Sequence, residues 1–513
     1  MTNDKSQMTN PRRPLFFTVF FLASPLAAPA AERNIVFVIT DDESPTLGCY
    51  DDPVAVTPAI DAIAADGMVF DNAFATTASC SASRSVVLSG IHNHRNGQFG
   101  HQHHYHKFTT FPDVARLALP RVLSAAGYRT ARIGKYHVAP EIVYHFDRVI
   151  PGPTRNPVRM AENCRDFIAA DDDRPFFLYF ATSDPHRSGK LDQTSTLDLK
   201  PDRFGNLAEG ESHEGVDEVR YDAADVPVPP FLPDTPETRE ELAHYYQSVT
   251  RIDRGVARLV DVLKEAGVYD QTLFVFTSDH GMAFAGGKTT VYEAGLRVPL
   301  VVRDPYQSRR GVRSDALVSH TDHTPTLLDF AGGLDADQNA PKTYPDLKDI
   351  FAGQSIASEN RDGGESFDAY HGRSYLPCLA DPDAEHHDAV MASHTFHEIQ
   401  MYYPMRVIRD RRYKLIWNIA HPLPFPFASD LWAASSWQAQ WRKGPEAAYG
   451  TRTVDEYRHR PEFELYAIAT DPHESNNLAD SESSREILED YKRRLREMQT
   501  AVADPWVLKW EYE

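Results

Sequence analysis

Apolar runs that stop abruptly at acids or histidines punctuate the first three hundred positions. "RNIVFVITDDE" (33–43) is continuous hydrophobic sequence ending in Asp41 and Asp42, the pattern of a strand buried on both faces of a parallel sheet. "TLFVFTSDHG" (272–281) repeats the design and ends in Asp279 and His280, and "RPFFLYFATSDPH" (174–186) ends in His186. "YRTARIGKYH" (128–137) is a weaker version ending in Lys135 and His137. Helical patterns alternate with these runs. In "TPAIDAIAADG" (57–67), Thr57 is placed as N-cap, Pro58 at the first helical position and Gly67 as the stop. Over 236–266, Leu242, Tyr245, Val249, Ile252, Val256, Leu259 and Leu263 step by three or four. They predict the longest helix, with one apolar stripe, closed by Gly267. The alternation predicts an α/β fold with a mostly parallel central sheet flanked by helices. Ligands of such sheets bind beyond the carboxyl ends of the strands, so four strands would deliver polar groups to one rim.

The pattern changes further on. Residues 335–390 read as a linker or surface loops. "YPMRVIRDRRYKLIWNI" (403–419) predicts two strands meeting at a charged turn around Asp410. "FELYAIATDPHESNNLAD" (463–480) predicts a strand and a turn, and 483–502 an amphipathic helix. Together these make a smaller α+β unit with an antiparallel sheet. At the other end, Arg12 and Arg13 precede the apolar "PLFFTVFFLASPLA", and small residues follow from Ala28 to Ala31. This reads as a secretory signal rather than a membrane anchor, the run being short for a span. The expected organisation is a signal over 1–31, a catalytic unit over 32–385 and a C-terminal unit over 386–513 completing the pocket. The mature protein is expected to be secreted, to a periplasm in a Gram-negative source, with no membrane span once the signal is removed.

Composition narrows the chemistry. The 513 residues carry 53 basic and 74 acidic side chains, a net charge of −21. Such a surface argues against a nucleic-acid partner. It also requires any anion site to concentrate arginine, lysine or a metal locally. Four cysteines, Cys49, Cys80, Cys164 and Cys378, leave an odd number if Cys80 is reserved for chemistry, which does not suggest a disulfide framework.

Asp41, Asp42 and Asp279 brought together would repel without a cation, and oxygen-rich ligation favours a hard ion such as Ca²⁺ or Mg²⁺. Read singly, the same acids could cap strand-to-loop turns. Cys80 lies in "TTASCSASRSVVLSG" (76–90) where a helix would start, with Arg84 one turn on. A helix start stabilises anions, so this corner suits an anionic nucleophile or leaving oxyanion; the plainer alternative is a small buried thiol.

"CSASR" resembles the sulfatase signature, cysteine-x-proline/alanine-x-arginine, with Ala82 where proline is commoner. The segments "TDDESP", "GYRTARIGKYHVAP", "DDRPFFLYFATSDPHR", "TLFVFTSDHG" and "FELYAIATDPHESNNLAD" resemble blocks of the type I sulfatases in family order. "HVAPEIVYHFD", "SDPHRSG", "YPMRVIRDRRYKLIWNI" and "DPWV" are similar to the N-sulfatase branch acting on heparan sulfate. The resemblance implies an alkaline-phosphatase-like fold and a maturation enzyme that oxidises Cys80 to formylglycine, whose hydrate is the nucleophile. Asp41, Asp42, Asp279, His280 and the residue-80 oxygen would hold Ca²⁺, or Mg²⁺. Most family members carry asparagine at the place of His280. Arg84 and Lys135 would orient the hydrate and help neutralise sulfate. Lys288 would contact sulfate, His186 would protonate the leaving nitrogen, and His137 would take the second hydroxyl proton. The implied substrate is a sulfated glucosamine saccharide, and a homodimer is among the states the resemblance allows.

Two features remain. "HQHHYHK" (101–107) holds histidines that could bind Zn²⁺, but the irregular spacing and the lack of a cysteine favour a solvent-facing or active-site-rim loop. His397 and Glu398 are expected to reach over the pocket and read sugar hydroxyls. Competing readings are an O-sulfatase with the same catalytic set, a phosphoesterase, which "CSASR" speaks against, and a non-catalytic sulfated-glycan binder with unconverted Cys80.

Overall fold

The computed structural model describes residues 33–103, 107–188, 201–352 and 367–512. The proposed signal therefore lies outside the described residues. Eight strands form the larger sheet: β1 (Asn34–Thr40), β2 (Met68–Phe74), β3 (Arg129–Gly134), β4 (Arg148–Ile150), β5 (Phe176–Ala181), β6 (Thr272–Ser278), β7 (Leu300–Arg303) and β8 (Val312–Ser319). Their order is β4-β3-β5-β1-β6-β7-β2-β8. The four apolar runs of the sequence are the four consecutive strands β3, β5, β1 and β6, all parallel. Only β7 runs against its neighbours, so the sheet is mixed but mostly parallel.

The unbroken hydrophobicity of β1 has a direct cause. Val36 and Val38 enter one buried layer, while Ile35, Phe37 and Ile39 enter the other. Both faces are covered, so neither set can be polar. The long helix Pro236–Glu265 covers the first face with all seven residues of its predicted stripe. The side chain of Thr235 caps its first turn, and Gly267 follows with φ +73°. Helix α1 (Pro58–Ala65) forms as predicted. The hydroxyl of Thr57 does not cap it, however; that oxygen bonds Gly48 N (2.9 Å) and Asp61 (3.2 Å).

Residues 335–352 and 367–388 are mostly irregular, interrupted by the short helices Leu347–Ile350 and Leu376–Ala380. Beyond them lie β9 (Ala389–His394), β10 (Met405–Asp410) and β11 (Lys414–Asn418). A two-residue ribbon, β12 (Ala448–Tyr449) and β13 (Arg452–Thr453), precedes β14 (Phe463–Tyr466). The second sheet, β14-β11-β10-β9, is wholly antiparallel. Val390, Ala392, Val407 and Ile416 join the core of the larger sheet. Ile408, Leu415 and Leu465 on the opposite face pack against Leu488, Tyr491 and Leu495 of the helix Arg485–Ala501. All four cysteines are free thiols. Among the described residues, no helix is long and apolar enough to cross a membrane.

Candidate active site

The sheet order decides what meets at the rim. β1 ends at Asp41 and Asp42, β6 at Asp279 and His280, β5 leads to His186, and β3 to Lys135 and His137. Gly134 makes the last turn possible: its φ is +85°, and a Cβ there would lie 1.9 Å from the Ala181 carbonyl oxygen. Asp42 (φ +68°), His137 (φ +56°) and Thr289 (φ +65°), the residue after Lys288, all occupy the left-handed region. Non-glycine residues rarely adopt it, and they gather where function over-determines the backbone.

Helix α2 (Cys80–Ser89) starts at Cys80, as its sequence predicts, and Gly90 ends it with φ +66°. Cys80 is fully buried. Its sulfur lies 3.3 Å from His280 Nε2 and 3.6 Å from Asp42 Oδ1. One donor atom from each of Asp42, Cys80, Asp279 and His280 lies within 4.8 Å of the others. Asp279 Oδ1 also accepts the Asp42 N–H (3.0 Å). His280 donates from Nδ1 to the Gly281 carbonyl (2.9 Å), which turns Nε2 toward the cluster.

Asp41 stands a little apart. Its carboxylate accepts from Arg84 Nη2 (3.2 Å) and from Lys135 Nζ. Arg84 donates Nε to Asp279 Oδ2 (3.0 Å) and Nη2 to the Thr40 carbonyl (3.0 Å). Its Nη1 reaches the Lys135 carbonyl (3.3 Å). Arg84 is thus a buried clamp between two aspartates, one turn along the helix from residue 80.

Lys288 forms the other wall. Its Nζ donates to Asp42 Oδ2 (3.0 Å) and Asp430 Oδ2 (2.9 Å) and lies 2.9 Å from His186 Nε2. His186 donates from Nδ1 to the Arg187 carbonyl (2.6 Å). Asp430 comes from the C-terminal part of the chain, in the short helix Ser429–Trp432, and no motif around it announces a role.

The charge balance explains the titration behaviour. Burial raises Asp42 and pushes Asp279 up to about 7, against the opposing pull of His186 and Lys288 on the first and of Arg84 on the second. Burial also disfavours ionised Asp41, but Lys135, His186 and Arg84 together hold it below the usual carboxylate range. His280 rises to about 10 because Asp279 and Asp42 outweigh the cost of burying its charge. The Cys80 thiol falls well below its ordinary value: burial opposes this, but Lys135, Lys288 and His280 prevail.

The described part of the histidine-rich segment, residues 101–103, lies at the active-site rim, one of the two placements expected for it. His101 is buried, and the charge of Cys80 acts on the rings of both His101 and His137. His103 Nδ1 lies 2.9 Å from His137 Nε2, and His103 Nε2 lies 3.2 Å from His101 Nδ1. His397 is buried as well; it pairs its Nδ1 with Ser79 Oγ (3.1 Å) and packs on His101, ring centroids 3.7 Å apart. Glu398 is partly exposed and bonds Gln400. The fold brings Asp41, Asp42, Cys80, Arg84, Lys135, His137, His186, Asp279, His280 and Lys288 to one rim. The sequence reading missed Asp430 there and gave His101 and His103 a solvent-facing or active-site-rim loop but no role at the site. Three histidines in four positions were the available signal for the latter pair.

Comparison with known proteins agrees with this arrangement. The Sulfatase family profile matches residues 33–333. The chain is 37% identical to human N-sulphoglucosamine sulphohydrolase over 496 residues, covering 93% of this chain and 92% of that protein. An ulvan-active sulfatase of Formosa agariphila is 28% identical over 480 residues, 90% of this chain and 79% of that one. Among solved structures, a protein captured with its substrate D-glucosamine-2-N,6-O-disulfate superposes with a TM-score of 0.63 at 20% identity, covering 94% of this chain and all of that one. The phosphonate monoester hydrolase of Agrobacterium radiobacter also shares the fold: TM-score 0.58, 18% identity, 92% of this chain and 96% of that one. The chain belongs to the sulfatase family, and its fold is the one these enzymes share.

Proposed function

We propose that this chain hydrolyses the N-sulfate of glucosamine N-sulfate residues in heparin or heparan sulfate fragments and releases sulfate. One observation carries the reading: Cys80, Asp42, Asp279 and His280 converge within 4.8 Å, beside the Lys288–His186 pair (2.9 Å). Likeness to N-sulphoglucosamine sulphohydrolase along 93% of the chain favours a sulfamate over a sulfate ester.

The donor set fits a hard divalent cation. Buried carboxylates with raised pKa values face one point, and protons there do what a metal would do better. Asp41, Asp42, Asp279, His280 and an oxygen on residue 80 would hold Ca²⁺, with Mg²⁺ the alternative. When bound, the ion would polarise a sulfate oxygen, and formylglycine made from Cys80 by a maturation enzyme would supply the attacking hydroxyl.

The chain's own side chains do the rest. Lys288 and Lys135 offset the charge of the transferring group. Arg84 acts through the two aspartates it clamps. His186, anchored at Nδ1, turns Nε2 toward the site and protonates the departing nitrogen. His137 takes a proton from the residue-80 hydroxyl. Glu398, partly exposed, reads sugar hydroxyls, and the neighbouring His397 is buried against His101. The chain divides into a catalytic unit (32–385) and a C-terminal unit (386–513), and Asp430 on Lys288 supports the idea that the second completes the pocket. The N-terminal pattern supports export, to a periplasm in a Gram-negative cell.

The test is free sulfate released by mature protein from a panel of defined sulfated monosaccharides. N-sulfoglucosamine should be the preferred substrate. Preference for 6-O-sulfated N-acetylglucosamine would make the chain an O-sulfatase instead.

A further inference from the structure

Beside the proposed cation site lies a second cluster of ligating side chains with different chemistry. We propose that His101, His103 and His137 bind one borderline transition-metal ion, of which Zn²⁺ is the type, and that this ion switches the enzyme off. One ring nitrogen from each of the three lies within 4.8 Å of the other two. His103 stands between the other two rings, with its Nε2 3.2 Å from His101 Nδ1 and its Nδ1 2.9 Å from His137 Nε2, so one of its nitrogens would serve as ligand. Tetrahedral Zn²⁺ with Zn–N of about 2.0–2.1 Å sets its ligand nitrogens roughly 3.3–3.4 Å apart. A turn of the His103 ring and small outward shifts reach that spacing.

Two of the three rings are already fixed in place. His101 is buried against His397 and ties its backbone N–H to the His397 carbonyl (2.8 Å). His137 follows β3 with its backbone in the left-handed region. Three imidazoles without a carboxylate suit Zn²⁺, Cu²⁺ or Ni²⁺ and not Ca²⁺. The two sites therefore select different ions.

The consequence for activity rests on the proposed function: an ion on His137 takes the ring meant to accept a proton from residue 80. Metal binding itself does not rest on it. The experiment is calorimetric titration of Zn²⁺ into mature, Ca²⁺-saturated protein, where residue 80 no longer offers a thiol, with sulfate release followed in parallel. One equivalent should bind. His103→Ala and His103→Gln should each weaken binding at least about tenfold, and His280→Ala should leave it in place. Zn²⁺ should suppress sulfate release in the parent but leave each His103 variant at its own Zn²⁺-free rate. The proposal is overturned if the parent takes up no Zn²⁺, if both His103 variants bind it as tightly as the parent, or if His280→Ala abolishes uptake. It is also overturned if bound Zn²⁺ leaves the parent's sulfate release intact. A protein that releases no sulfate from any substrate would contradict the proposed function, and the titration would still decide the site.

Discussion

Replacing His186 separates the proposed N-sulfatase chemistry from generic sulfate transfer. An amine leaves poorly unless protonated, whereas an activated aryl oxide needs no proton. His186 is placed for that work: Nδ1 is tied to the Arg187 carbonyl at 2.6 Å, and Nε2 lies 2.9 Å from Lys288 and 3.6 Å from Asp42. General acid catalysis contributes about 10²–10⁴-fold, which corresponds to roughly 2.7–5.4 kcal/mol of barrier. His186→Ala should therefore lower kcat/KM on N-sulfoglucosamine by that factor, and on 4-nitrophenyl sulfate by less than about tenfold. His186→Gln, which can still bond Lys288 but cannot give up a proton, should show the same split. The pH profile carries a second signature. Burial alone would lower the His186 pKa, but Asp42 raises it overall. A raised pKa keeps the acid protonated until pH climbs through it, so the sulfamate rate should fall on the alkaline side, above the ordinary histidine range. That limb should vanish in both variants. Equal losses on the two substrates, or an alkaline limb that survives the substitution, would refute the assignment.

Other outcomes follow from the same geometry. Arg84→Met leaves Asp41 and Asp279 buried without their shared guanidinium, and breaking a buried pair costs about 3–5 kcal/mol; urea unfolding should show a midpoint far below the parent's, and an unchanged midpoint would contradict the clamp. Burial pushes Asp279 up to about 7, so Ca²⁺ must displace a proton below that pH; affinity by equilibrium dialysis should drop from pH 8 to pH 6, and a flat profile would count against Asp279 as a ligand. His280→Asn keeps a neutral donor and should hold Ca²⁺ within about tenfold of the parent, while His280→Ala should lose roughly 10–100-fold. Because Asp41 is held below the usual carboxylate range, the stability it contributes is present above its unfolded pKa of about 3.9 and disappears as pH falls through its folded value; replacing Lys135 with Met should shrink that acid-sensitive component.

The rim was legible because it is built from local patterns. An apolar run buried on both sides and ending in Asp41 and Asp42, or in Asp279 and His280, signals both a central strand and its outlet. The start of α2 at Cys80 follows from a small-residue run between a strand and Gly90. What escaped depends on contacts between distant parts of the chain. Asp430 meets Lys288 across 142 positions, and "FASDLW" carries no spacing that would single it out. His101 and His103 stood in an evident cluster, but only folding shows that their rings point at His137, 34 positions on from His103. His397 was expected over the sugar; the fold buries it against Ser79 and His101. The strands β7, β2 and β8, on the side of the sheet beyond β6, lack the long apolar runs of the centre. β2, for instance, has Asp71 and Asn72 partly exposed in mid-strand.

The mass of the peptide spanning residue 80, taken from catalytically active protein, tests the central claim most directly. The account predicts the lighter aldehyde, or its hydrate, in place of the thiol, in proportion to activity across preparations. Full activity from protein whose residue 80 is still an intact thiol would contradict it.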